Sequence, residues 1–537
     1  MLAASVAFIP SLAFAAGSPQ PAAVTPHGLS NSSTALAQAK SSAFKTFTSP
    51  ASHSVRGAKS AAATASASDS SPTLALTGTP ENLYSIQLMG VTTGLTTPIT
   101  ATINWGDGKT STTTSGSLGV SATHTYAALG TYNVSVTVTD AADDTVTNTV
   151  SVTTAGSDYT AYGPTRLLDT RKGLGAPKAE VQPHGKVDLK IAGNGQIPAG
   201  VTAVVLNVTV TNPTAAGYVT VYPDLTTRPT SSNVNFVAKQ TVPNQVIAQV
   251  GADGNIVLYN GSDGTVDLVA DVAGYFTQTA SSGYTPLTPY RLADTRYGTG
   301  TTKGKVGANG SFSVQIAGND KGKLPSSGIT AVALNVTVTN PKSAGYVTVY
   351  PDGKSAPTAS NLNFTTNETV ANSVIVPVGG DGKVRVLNSD NAGTDVIVDV
   401  VGYYSATSKS AYLPAPPSRL LDTRTKEDGP AVPGNLYYPL VLPPGTTAWV
   451  LNATVTDTKS VGHLSVAPDP NSLAAYENGT ATFPPVPSAS TLNWTTGKTV
   501  PNMLQASTGS NNIIDFWNLG PGSTDLVIDA LGIYANN

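Results

Sequence analysis

Val204-Val205-Leu206-Asn207-Val208-Thr209-Val210-Thr211 is a run of β-branched and apolar residues with no 3.6-residue periodicity, and it reads as a strand. Working outward, a turn leads into a second strand, Gly217-Tyr218-Val219-Thr220-Val221-Tyr222-Pro223. Shorter pieces follow, Ser232-Asn233-Val234-Asn235-Phe236 and Val242-Pro243-Asn244, and the unit closes on Val266-Asp267-Leu268-Val269-Ala270-Asp271-Val272-Ala273-Gly274-Tyr275. It opens on Arg166-Leu167-Leu168-Asp169-Thr170-Arg171, which returns as Arg291-Leu292-Ala293-Asp294-Thr295-Arg296 and as Arg419-Leu420-Leu421-Asp422-Thr423-Arg424. The central strand recurs with it, at 332–339 and 449–456. A period of about 125 residues is a whole domain rather than a solenoid turn, so each copy should bury its own core. Pro and Gly punctuate every copy, which predicts an all-β sandwich or barrel for each.

The copies span residues 160–278, 284–405 and a divergent 412–537. Their opening Arg-Leu-Leu-Asp-Thr-Arg and closing Asp-Val-Ala-Gly-Tyr resemble the repeated β-domains of exported actinobacterial proteins, which stand beside secreted hydrolases or stack in surface proteins. The resemblance implies location more than activity. The joining segments, 277–283 and 405–411, are short, and a semi-rigid string of domains is expected.

Ahead of the copies, residues 72–155 alternate strictly: in Thr131-Tyr132-Asn133-Val134-Ser135-Val136-Thr137-Val138, Tyr132 and the valines share one face. Trp105-Gly106-Asp107-Gly108, His124-Thr125-Tyr126 and Gly130-Thr131-Tyr132, in that order, resemble the PKD family of immunoglobulin-like domains. The resemblance implies a β-sandwich of extracellular proteins that spaces or binds. Trp105 is expected as a core anchor and Asp107 as a turn residue. The expected fold class is therefore all-β, an Ig-like sandwich followed by three tandem sandwich or barrel domains.

Residues 1–16 are apolar and end in Ala13-Phe14-Ala15, the pattern of a signal peptide, although no Lys or Arg precedes Lys40. Residues 17–71 are rich in Ala, Ser, Thr and Pro and are expected to be a disordered linker. Secretion, with or without cell-surface association, is expected, and no membrane span is expected in the mature form. Charged residues are only 11% and the net charge is −3, so nucleic acid is not an expected partner. The absence of cysteine excludes disulfides, thiolate metal sites and thiol nucleophiles. No metal site or cofactor is expected.

Asp267 and Asp271 lie four apart on one strand face, and the pair recurs as Asp395/Asp399 and Asp525/Asp529. Paired carboxylates serve glycosidases and calcium sites. Each copy, however, also keeps two arginines and an aspartate in its opening motif: Arg166, Asp169, Arg171; Arg291, Asp294, Arg296; Arg419, Asp422, Arg424. Fixed Arg and Asp in a charge-poor domain predict a structural ion network tying first strand to last. No lipase elbow, zinc-protease helix or phosphate loop occurs, and no catalytic residue is assigned.

For binding, Tyr218, Thr220 and Tyr222, repeated as Tyr346, Thr348 and Tyr350, would form an exposed stripe if the intervening valines face the core. Rings beside hydroxyls suit sugar faces. Copy three replaces the stripe with His463, Ser465 and Ala467, and gains Trp449 and Trp494, expected in the core, and Trp517, the candidate binding aromatic there. The expectation is a non-enzymatic modular protein that binds extracellular polysaccharide, cell-wall glycan or another secreted protein. The alternatives are a spacer or assembly component and, less favoured, a hydrolase built on the carboxylate pairs.

Overall fold

The computed structural model describes residues 26–50, 71–319, 324–425 and 428–536. The expected signal peptide lies outside them. Strands dominate throughout. The first unit is a sandwich of two four-stranded antiparallel sheets, one ordered 47–48, 73–80, 85–93, 119–125 and the other 110–115, 99–104, 131–140, 145–153. Trp105, 1% exposed, and the inward valines Val134, Val136 and Val138 fill it. The alternation arises because only one face of each sheet is covered.

Each copy is also two sheets, all four-stranded except the inner sheet of copy two, where the short strand Val306–Gly307 pairs with the start of Gly393–Ser405 as a fifth. In copy one the inner sheet runs Val242–Gln249, Val201–Thr211, Asp267–Thr277, Asp158–Asp169, and the outer runs Lys186–Lys190, Asn255–Asn260, Gly217–Pro223, Val234–Phe236. The other copies repeat this order. Each has its own apolar core.

A further core belongs to all three at once. Tyr159, Phe276, Tyr284, Tyr404, Tyr412 and Tyr534 meet there over small residues of the central strands, such as Ala203, Ala333 and Ala448. The expected string of domains is thus corrected: the copies close around a pseudo-threefold axis. The joining segments form the seam, with Tyr159 N donating to Ser282 O (2.9 Å), Tyr284 N to Ser410 O (2.9 Å) and Tyr412 N to Ser157 O (2.8 Å). The third bond returns to the first copy, so the ring is complete. Short connections favour this closure because they leave little slack between faces that can bury each other.

One layer along the axis the asparagines of the central strands repeat the cycle. Asn207 donates to Ser360 O (2.7 Å), Asn335 to Ser490 O and Asn452 to Ser232 O (2.8 Å). Asn244, Asn372 and Asn502 donate back to Asn452, Asn207 and Asn335. The Asn-x-Thr sequons at 207, 335 and 452 are therefore seam residues, each buried.

The closing-motif glycine has a steric cause here. In each copy the opening-strand tyrosine lies flat on it and donates to the residue before it, as Tyr159 does to Ala273 O (2.8 Å) and Tyr412 to Leu531 O (2.9 Å). A Cβ on Gly402 would fall inside the Tyr284 phenol. Gly402→Ala is expected to cost roughly 1–3 kcal/mol by overpacking, measured by chemical denaturation. The cost should largely vanish in a Tyr284→Ala background, and full additivity there would refute the steric account.

Part of the segment read as a disordered linker is ordered, a second correction. Helix α1 (Leu29–Ala43) buries Ser32, Ala35 and Ala39 against copy three, and Ser32 Oγ donates to Val441 O (3.0 Å). The fully buried positions of the helix are all small, which lets its backbone sit close to the domain, and Leu36 packs at the margin of the same core. Phe47–Thr48 then joins the edge of the first sandwich. Residues 26–50 thereby strap copy three to the first unit.

The first sandwich sits at the pole where the seam ring lies. Leu83, Tyr84 and Leu129 pack with Ala411 and Leu413 of copy three, and Gln278 donates to Thr154 O (3.0 Å).

Candidate functional site

The carboxylate pairs were the only catalytic candidates, and the structure engages them internally. In copy one Arg166 grips Asp271 with Nε–Oδ1 at 2.8 Å and Nη2–Oδ2 at 3.1 Å, and reaches Asp169 (3.3 Å), which Arg171 also holds (2.8 Å). Copy two repeats the set with Arg291–Asp399 (2.9 Å), Arg291–Asp294 (3.1 Å) and Arg296–Asp294 (2.7 Å), and copy three with Arg419–Asp529 (2.6 Å), Arg419–Asp422 (2.5 Å) and Arg424–Asp422 (2.6 Å). The networks tie first strand to last through one carboxylate of each pair. The bond from Arg171 holds the Asp169 carboxyl below its ordinary value despite burial. Burial pushes Asp399 and Asp529 up, against their arginines.

The other member of each pair differs from the expectation. Asp267 accepts from Thr170 Oγ1 (2.8 Å) and Asn212 (2.9 Å), and Asp525 from Thr423 (2.9 Å). Asp395 takes Thr295 and the Lys305 ammonium (2.7 Å). The opening-motif threonine thus has a role that sequence reasoning missed, though its recurrence between Asp and Arg was the available signal. Among the described residues no group of three or more His, Asp or Glu is placed to hold a metal ion.

The tyrosine stripes are corrected. The valines do face the sandwich core, with Val219 at 0% and Val221 at 1% exposure, but the other face is covered too. After Pro223 the chain folds back over it, and Thr220 Oγ1 donates to Ser231 O (2.7 Å). Thr348 does the same to Ala359 O (2.9 Å). Tyr222 and Tyr350 are buried, Tyr218 is half-buried, and Tyr346 remains exposed. The binding role of Trp517 is corrected likewise. It is buried, stacked on Tyr437 at 4.7 Å and edge-on to Phe483 at 5.3 Å, under the copy-three insertion. Trp449 and Trp494 are core residues, as expected.

That insertion, with its short helix α2 (Leu473–Glu477), carries chemistry the other copies lack. Asp469 and Asp515 are both buried, and Tyr476 of α2 donates its hydroxyl to Asp469. Burial, then the neighbouring Asp469, pushes the Asp515 carboxyl up to about 10. In copy two the same positions hold Asp352 and Arg385, an ordinary ion pair at 2.7 Å that brings Asp352 down to about 2.

A larger opening lies at the pole opposite the first sandwich. There the inner-edge strands Val242–Gln249, Val370–Pro377 and Val500–Ser507 begin, and they bound a cavity of about 490 Å³. The turns before these strands, at residues 236–242, 364–370 and 494–500, form its rim.

Residues 63–154 match the PKD domain family, under a fifth of the chain. Such domains are typical of extracellular proteins. No curated protein matches the chain. Among solved structures, chains from Sulfolobus turreted icosahedral virus and from the triple jelly roll turret of an archaeal virus are each 11% identical to it. Both matches cover 66% of this chain, with 85% and 84% of the viral chains, at a TM-score of 0.15. Superposition at that score supports no conclusion about this chain. No helix among the described residues is long and apolar enough to cross a membrane.

Proposed function

We propose that the chain is an extracellular, non-catalytic adhesion protein whose three β-domains form one closed head on a PKD-like base. The observation that carries this reading is the closure itself. It places the PKD-like unit at one pole and leaves the opposite pole, with its three-copy cavity, free to meet a ligand. The carboxylates that a hydrolase would need are each taken up by an arginine, threonine or lysine of their own copy, which speaks against acid–base catalysis. Glycan is the favoured ligand class for an exported protein poor in charge and rich in hydroxyls. Actinobacterial export, from the repeated motifs, belongs to the same proposal.

The test is co-sedimentation of the full chain with insoluble polysaccharides and isolated cell wall, with released reducing sugar assayed alongside. Retention without sugar release is the expected result. Release of sugar would establish a hydrolase. The burial of Tyr222 and Tyr350 favours a second reading, a spacer or assembly component, and failure to sediment with any polymer would establish that one instead.

A further inference from the structure

The three copies agree closely along the axis and diverge at its free pole. The seam asparagines and the ring of backbone bonds are the same in every copy, whereas the equivalent rim position holds Gln240, Glu368 and Lys498. Copy three also places Trp494 where the others have Phe236 and Phe364. Symmetric packing needs none of these differences. They give the cavity one amide, one carboxylate and one ammonium on its rim.

Three features define what the cavity can hold. Its floor is apolar, formed by Val242, Val370 and Val500 with Pro243 and Pro501, and Trp494 and the half-buried Tyr218 stand at its wall. Among its lining residues, Asn493 has a buried acceptor without a partner, its Oδ1. In the sister copies the same atom accepts from serine, Ser232 to Asn235 and Ser360 to Asn363, each at 3.0 Å; in copy three Ser490 turns to Thr337 across the seam instead. Finally, the charges are unequal in availability. Glu368 is already bonded to Thr365 N (2.8 Å) and Oγ1 (3.0 Å), while Lys498 is exposed and has no carboxylate partner among the described residues.

Resting on the glycan reading above, we infer that this cavity at the free pole is the head's saccharide site and takes an acidic sugar. Its volume is that of a small-ligand pocket. A pyranose lays its C–H face on the aromatic and apolar wall, a hydroxyl donates to Asn493 Oδ1, and a carboxylate meets Lys498. The unpartnered amide oxygen supplies the hydrogen-bond requirement, because a buried acceptor left unmade is costly until a donor arrives.

The test is calorimetric titration of the full chain with an oligogalacturonic acid and with its fully methyl-esterified form. The acid should bind, the ester should bind at least about tenfold more weakly, and Lys498→Gln should weaken the acid to the ester's level. Added salt should narrow the difference. Lys498 is exposed, so this substitution leaves folding intact; Asn493→Ala, checked for an unchanged unfolding midpoint, gives a second reading and should weaken both probes. Equal affinity for acid and ester, or undiminished binding by both variants, would overturn the assignment. If the chain sediments with polysaccharide but these variants sediment equally well, this site is wrong and the adhesion reading stands; no binding to any saccharide sinks both.

Discussion

Arg291→Met is expected to lower stability by roughly 3–5 kcal/mol, the cost of stripping one partner from a buried ion pair. Arg291 grips Asp399 through two nitrogens, reaches Asp294, and extends Nη2 to Ser488 O of copy three (3.1 Å). Methionine fills much of the stem volume but leaves the Asp399 carboxylate, 0% exposed, without its cation. Burial already raises Asp399 above its ordinary value, and removing the guanidinium raises it further. A carboxyl raised in the folded state gives stability that is fully present below its unfolded pKa and is lost as pH rises through its folded one. The variant's deficit should therefore shrink as pH falls toward 4, and denaturation midpoints across pH would show it. Asp399→Asn should recover part of the loss in the double variant. A small, pH-independent deficit would mean that the networks contribute little beyond surface ion pairs.

Asp515→Asn is the converse, a substitution expected to stabilise. Asp469 accepts from Asn471 N (2.6 Å), Asn471 Nδ2 (2.9 Å) and Tyr476, so its oxygens are already engaged as acceptors. Asp515 must then keep a proton at neutral pH, with its carboxyl up near 10. Its contribution is fully present below the ordinary aspartate value and drains away as pH climbs toward 10. An amide donates the same hydrogen bond without needing a proton. At pH 7 the variant should be more stable by roughly 2–4 kcal/mol, the free energy of holding a carboxylic acid about three units above its reference pKa. The wild-type protein should lose stability with rising pH relative to the variant. Parallel pH profiles for the two proteins would show that Asp515 does not carry the proton.

The two predictions concern different copies, the inner sheet of copy two and the outer sheet of copy three, and they differ in how visible they were beforehand. The Arg291 network was readable because its members sit in a motif that recurs three times, and a fixed Arg and Asp in a charge-poor chain have few other uses. The Asp469/Asp515 pair was not readable. Its partners lie 46 residues apart, the tyrosine that engages Asp469 comes from an insertion that only copy three has, and in copy two the same two positions form an ion pair.

The sequence alone determined the all-β character and the internal repeat of the chain. Period-two alternation, turn residues and an internal repeat are local records of backbone geometry and of which face is apolar. The PKD-like sandwich was legible to the level of Trp105 and of Asp107, which caps its turn by accepting from Lys109 N (3.0 Å). Only the tertiary structure decided what covers the second face of each sheet. Val219 and Val221 show that one face of that strand is apolar, but nothing local says that the return loop buries Tyr222 as well. The run Val204–Val210 shows strand, yet its partners across the axis are residues of other copies more than a hundred positions away, such as Ser360 for Asn207. The same holds for α1, whose small residues read as linker until copy three supplied a surface for them. Burial of a second face depends on which distant segments arrive there, and that is settled by closure of the whole chain, where the total buried area is greatest.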